Sequence, residues 1–133
     1  MSDRLSIPEI FALQRIAVVG FSTNAQKPSH KVPKYLMEQG YTVYPVNPGA
    51  DGDILGQTVY ATVAEIPEPV DVVCVFRPSE AVPEVLEDVL ERSDVKVFWM
   101  QQGITNASAA AKAEEHGMTV IQDRCMHQEH TAL

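Results

Sequence analysis

Apolar residues along this chain come in short runs closed by Gly or Pro, and the runs alternate with stretches of helical periodicity. Ile16–Val19 is a continuous apolar run ending at Gly20, the pattern of a strand buried on both faces. Val32, Tyr35 and Leu36 form a helical stripe that stops at Gly40, a C-terminal cap signal. Tyr41–Val46 predicts a second strand, closed by Asn47 and Pro48. A Gly-rich turn from Gly49 to Gly56 follows, then a short strand over Thr58–Tyr60 and one helical turn over Thr62–Ile66 capped by Thr62. Val70–Phe76 predicts a buried strand broken only by Asp71. Ser79 caps a predicted helix in which Val82, Val85, Leu86, Val89 and Leu90 recur at helical spacing. Val95–Met100 is a further strand, an Ala-rich helix runs from Thr105 or Asn106 to Gly117, and Met118–Gln122 is the last strand. At the N-terminus, Ser6 and Pro8 mark the cap and first turn of a helix. The residues after Asp123 read as a mobile tail.

Strand, helix and strand repeated with short connections call for right-handed crossovers and a parallel sheet covered on both faces. The fold expected is therefore α/β: a Rossmann-like, doubly wound, mostly parallel sheet of five to six strands in the order 3-2-1-4-5-6, its third strand short. A length of 133 residues suits one domain over 1–133. No apolar run approaches the roughly 20 residues that cross a bilayer. The first residues carry Asp3 and Glu9 where a signal peptide would have an apolar core, so a cytoplasmic location is expected. Two cysteines, neither in a CxxC pair, make no disulfide framework, and Cys74 reads as a buried core thiol.

Charge adds a position. The net charge of −8 argues against general nucleic-acid binding. Yet Ile10–Met37 contains no Asp or Glu, while Arg15, Lys27, Lys31, Lys34 and His30 fall within it; all 18 acids lie elsewhere. In doubly wound sheets, ligands sit beyond the carboxyl ends of the strands where strand order reverses. That point lies at the end of the first strand, Val19-Gly20-Phe21-Ser22-Thr23-Asn24. Gly20 permits a sharp turn close to a phosphate; Ser22 and Thr23 offer hydroxyls and N–H groups; the next helix presents its positive end. The basic window and the switch point coincide, which marks an anion site. The alternatives are a tight turn without a ligand at Gly20 and solvated lysines.

The loop is not a dinucleotide fingerprint. G-x-G-x-x-G needs two more glycines, where this chain has Ser22 and Ala25. The second strand ends in Pro45-Val46-Asn47-Pro48, without the carboxylate that holds a ribose diol, so an NAD site is disfavoured.

At these residues the chain resembles the stand-alone bacterial and archaeal coenzyme A-binding proteins, which are similar to the N-terminal CoA-binding domain of the succinyl-CoA synthetase α-subunit. The likeness runs through Val18-Val19-Gly20-Phe21-Ser22, Lys27-Pro28-Ser29-His30-Lys31-Val32, Tyr35-Leu36, Gly40-Tyr41 and Val43-Tyr44-Pro45-Val46-Asn47-Pro48. It continues in Val75-Phe76-Arg77-Pro78-Ser79-Glu80, Trp99-Met100-Gln101-Gln102-Gly103 and Asp123-Arg124-Cys125-Met126. The resemblance implies a cleft for CoA or acyl-CoA on the carboxyl edge of the sheet. Gly20, Ser22 and Thr23 would face the pyrophosphate, and Lys27 and Lys31 would supply charge. Pro45, Val46, Asn47 and Pro48 would flank the adenine or ribose, and Val75, Phe76 and Arg77 the pantetheine. Arg77 suits bidentate phosphate contact, with a surface ion pair to Glu80 as its alternative.

Departures from the family pattern are Phe21, which would crowd the entrance or stack on the ligand, His127 in place of a lysine, and Ala132 in place of an arginine. Cys125, His127 and His130 match no standard zinc spacing. Cys125 next to Arg124 is a candidate redox thiol that could pair with the CoA thiol, against the alternative of an inert buried cysteine. Ser29 and His30 are neighbours in sequence whose side chains would not converge, and Glu87-Asp88 and Glu114-Glu115 read as solvated pairs. A non-catalytic CoA-binding sensor or carrier is the expectation, with an acyl-CoA-handling enzyme or an NAD-sensing domain as rivals. Partners are the small molecule, no nucleic acid and no membrane; a homodimer stays open.

Overall fold

The computed structural model describes residues 4–49 and 52–133. Five parallel strands form its central sheet: β1 (Arg15–Val19), β2 (Thr42–Val46), and, after a small hairpin of β3 (Asp53–Ile54) and β4 (Gln57–Thr58), β5 (Val72–Val75), β6 (Val97–Met100) and β7 (Thr119–Ile121). Their order is β2-β1-β5-β6-β7, so the reversal falls between β1 and β5. This is the expected doubly wound order, with the third position occupied by a single parallel bridge from Tyr60 to Val46. The strand expected over Thr58–Tyr60 does not form as such. Leu55 and Gly56 both take positive φ, 51° and 80°, and fold Gln57–Thr58 back on Asp53–Ile54 as an antiparallel pair. Of the Gly49–Gly56 turn, residues 50 and 51 lie outside the described residues.

Alternation along the strands sorts side chains to two faces. Ala17, Val19, Val73, Val75, Phe98 and Met100 face one side, where α3 (Val82–Leu90) and α4 (Ala107–Glu115) cover them. Ile16, Val18, Val72, Cys74, Val97 and Trp99 face the other, beneath α1 (Ile7–Phe11), α2 (Pro28–Glu38) and α5 (Met126–Thr131). Trp99, Phe98 and Phe21 are fully buried, and each such side chain stabilises the fold by about 1.5–3 kcal/mol relative to exposure.

Helix starts follow their cap chemistry in two cases and depart from it in a third. Ser6 and Glu9 form a reciprocal capping box on α1, and the Asn106 side chain accepts from the Ala109 N–H at the head of α4. Ser79 does not cap a long helix. It opens a 3-10 turn, Ser79–Ala81, and α3 begins at Val82 with Pro83 in its first turn. The Ser79 hydroxyl instead accepts from the Thr105 N–H, tying the β5 and β6 loops together. The C-terminal residues are not a tail. They form α5, docked by fully buried Met126, by Trp99 Nε1 donating to the Arg124 carbonyl, and by Tyr35 Oη 2.6 Å from His130 Nδ1. Six residues with one apolar anchor are too short for periodicity to reveal a helix. No described helix is long and apolar enough to cross a membrane.

Candidate functional site

Beyond Val19 the chain must leave the sheet, and Gly20 does this with φ +90° and its N–H on the Val46 carbonyl. A Cβ at Gly20 would lie 3.0 Å from the Phe76 carbonyl oxygen, so glycine is required by conformation and by space. Phe21 then turns inward and is completely buried, edge-on to His30. It neither crowds an entrance nor offers a face to a ligand, because the apolar pocket under α2 takes the whole ring.

Polar groups shape the loop that follows. The Ser22 N–H donates to the Ser29 carbonyl, and Ser22 Oγ accepts from the Asn24 N–H. Asn24 Oδ1 accepts from the Gln26 N–H, and the Lys27 N–H returns to the Asn24 carbonyl. The N–H groups of Thr23, Ala25 and Ser29 find no acceptor among the described residues. Lys27 occupies the N-cap position of α2 without a side-chain cap, and Lys27 and Lys31 are exposed beside these open donors. A helix N-terminus with free N–H groups and cations favours an anion.

The β2 exit lies alongside. Val46 is 1% exposed yet reaches the surface cleft, Pro45 is buried within the strand, and Pro48 is exposed. Asn47 joins the two loops: its Nδ2 donates to the Phe21 carbonyl at 2.9 Å and its Oδ1 accepts from the Gly49 N–H. On the other side of β1, Val75 is fully buried, Phe76 half-buried against Gly20, and Arg77 exposed.

A cleft of about 400 Å³ opens on the face covered by α3, lined by Val19, Val46, Pro48, Ala61, Thr62, Val63, Arg77, Ala81 and Val85, with Glu84, Glu87 and Asp88 on its α3 side. Of the twelve residues expected at the site, Val46, Pro48 and Arg77 line this cleft. Gly20, Ser22, Thr23, Lys27 and Lys31 form the separate loop beside it. Ala61–Val63 and Val85 escaped notice. Their sequence signal was the segment after Tyr60, which pairs beside β2 and so must also end at this edge.

Burial, then Glu91, Glu84, Glu65 and Glu87, push the Asp88 carboxyl above its usual range. The α3 side of the cleft is thus acidic, while Lys27 and Lys31 stand outside it, at the head of α2. Five ion pairs occur among the described residues: Arg4–Glu114, Arg92–Asp94, Lys96–Asp71, Lys112–Glu87 and Arg124–Glu129. Lys27, Lys31, Lys34 and Arg77 belong to none of them, and the alternative pairing of Arg77 with Glu80 does not form.

Burial pushes the Cys74 thiol up to about 12, against Gln101 Nε2 donating to its sulfur at 3.0 Å, so it is a protonated core group. Cys125 sits half-buried at the start of α5, packed on the sheet face opposite the cleft wall of Val19, Val46, Val63 and Val85. His127 stacks on Tyr35 at 3.9 Å, and no group of three His, Cys, Asp or Glu side chains suited to a metal converges among the described residues.

Comparison with known proteins accords with this geometry. Residues 14–131 match the model of a CoA-binding domain. The chain is 44% identical over 117 residues to the uncharacterized protein YneT of Bacillus subtilis, covering 88% of this chain and 85% of that one. It is 37% identical over 89 residues to the α-subunit of an ADP-forming acetate–CoA ligase of Pyrococcus furiosus, covering 63% of this chain but only 19% of the subunit. A hypothetical protein from Pyrococcus horikoshii superposes with a TM-score of 0.89 at 35% identity, over 97% of this chain and 92% of that one. This chain belongs to the CoA-binding domain family.

Proposed function

We propose that this protein binds CoA or acyl-CoA across the carboxyl edge of its sheet and carries out no chemistry on it. The observation that carries this reading is that open N–H donors and the cations Lys27, Lys31 and Arg77, which pair with no acid among the described residues, occur at one edge of the sheet with a mainly apolar cleft. Gly20, Ser22 and Thr23 approach the pyrophosphate, and Lys27 and Lys31 supply charge to the phosphates. Val46, Asn47 and Pro48, with Pro45 behind them, form the adenine and ribose side. Phe76 and Arg77, backed by Val75, form the pantetheine side. The acidic α3 lip of Glu84, Glu87 and Asp88 repels phosphate, so the anionic part of the ligand belongs on the α2 side and its uncharged part against Val19, Val46, Val63 and Val85.

The absence of a role for chemistry rests on the groups themselves. Cys74 is held protonated in the core, and His30, next to Ser29, is turned to the Ser22 carbonyl. Calorimetric titration of ligand-stripped protein with CoA, dephospho-CoA, NAD and ATP tests the binding. Selective CoA binding, weakened by loss of the 3′-phosphate, is the expected result; tighter binding of NAD overturns it. Turnover of acyl-CoA by the purified protein would instead make it an enzyme.

A further inference from the structure

We infer that His30 is a positioning residue for the phosphate loop, acting through the Ser22 carbonyl with Asn47 as its counterpart on the Phe21 carbonyl. The inference rests on the reading of this edge as the phosphate site and assigns a task to a side chain that reading leaves unused. His30 is 7% exposed, in the first turn of α2, with its ring edge-on to Phe21. Its Nδ1 lies 2.7 Å from the Ser22 carbonyl oxygen. A carbonyl oxygen only accepts, so Nδ1 carries the hydrogen.

The consequence follows from the planar, trans peptide, in which a carbonyl and the next N–H point in opposite directions. Asn47 Nδ2 draws the Phe21 carbonyl one way, and the Ser22 N–H accordingly turns the other way, onto the Ser29 carbonyl. His30 draws the Ser22 carbonyl inward, and the Thr23 N–H must then face away from the buried ring. That N–H is one of the donors without an acceptor among the described residues. Two buried or half-buried side chains thus set two successive peptide planes in an exposed loop. A loop held this way does not have to be ordered by the ligand, which lowers the cost of binding.

Two substitutions separate the hydrogen bond from the packing. His30→Phe keeps a ring against Phe21 and removes the donor. His30→Asn removes the ring but places an amide N–H where Nδ1 stood. CoA affinity should fall about tenfold in His30→Phe, the scale of one lost hydrogen bond and its ordering effect, and return most of the way in His30→Asn. In the ligand-free protein, the Ser22 carbonyl and Thr23 amide shifts, measured by NMR, should move in His30→Phe and return most of the way in His30→Asn. Equal affinities in the two variants, or a weaker His30→Asn than His30→Phe, would assign His30 to packing and overturn the inference. If the unsubstituted protein does not bind CoA, the functional reading fails, and the Ser22 carbonyl and Thr23 amide shifts alone decide the loop: no change in His30→Phe overturns the positioning role.

Discussion

The two ends of the central sheet are built from the same residue types and use them in opposite ways. At the amino end, charges are consumed by the fold. Arg92 donates to the carbonyls of Val63, Ile66 and Glu68 and pairs with Asp94, whose carboxylate also accepts from the Val70 N–H. Asp71 accepts from the Gln14 and Arg15 N–H groups and pairs with Lys96, closing the seam between β1 and β5. At the carboxyl end, Lys27, Lys31 and Arg77 have no acidic partner among the described residues, and the N–H groups of Thr23, Ala25 and Ser29 find no acceptor among them. A charge already satisfied inside the protein has little left for a ligand, whereas an unpaired cation at a helix N-terminus does. The amino end serves stability, and the carboxyl end keeps the donors and cations that the proposed ligand would use.

Substitutions at the two ends should therefore move different observables. Arg92→Ala should cost the most, about 3 kcal/mol or more, because it leaves Asp94 and three carbonyls without their partner. Thermal or urea unfolding reads this loss, and where the variant is folded any change in CoA affinity should be small beside that of the loop variants, since the Val63 carbonyl ties Arg92 to the cleft wall. Gly20→Val should move both observables, since Gly20 makes the turn out of β1 and also faces the proposed phosphate site. Positive φ and the 3.0 Å approach to Phe76 should cost about 2–3 kcal/mol of stability, and titration calorimetry should show CoA binding lost.

Lys27→Ala combined with Lys31→Ala should weaken CoA by about 10- to 30-fold at low salt, less as salt rises, with the melting temperature unmoved. Unchanged affinity would move the phosphate site away from α2. Asp71→Asn should cost about 1–2 kcal/mol at neutral pH. Burial pushes the Asp71 carboxyl up, but the Arg15 N–H, Lys96 and the Gln14 N–H together outweigh it and hold the group below its usual range. Its stabilisation is therefore complete above the ordinary carboxylate pKa of about 4 and is lost as pH falls through the lower folded value. The gap in unfolding free energy between wild type and Asp71→Asn should close in acid, and a gap that widened there would reverse the assignment.

The strands at Ile16–Val19, Tyr41–Val46, Val70–Phe76 and Val95–Met100 were legible because parallel strands buried on both faces leave unbroken apolar runs. So was the coincidence of the acid-free window with the switch point, since both depend only on residue order. Less legible was anything set by contacts between distant segments. Phe21 looks like a ligand-facing side chain beside Gly20, yet it is buried edge-on to His30, in the core cluster that also holds Val32, Leu36 and Ile54. Ser79 has the composition of a cap and spends its hydroxyl on Thr105, twenty-six residues on.

By itself, then, the chain determined an α/β sheet wound in both directions, a glycine turn at its switch point and a local excess of cations there. Those properties follow from the period of apolar positions, the conformational freedom of one residue and the placement of charge. Only the tertiary structure decided which cations find no acid among the described residues, that residues 61–63 and Val85 line the cleft, and that His30 and Asn47 meet the carbonyls of the loop. Each of these depends on which groups meet after the crossovers bring separate strands to one edge, and no local pattern encodes a partner that lies tens of residues away.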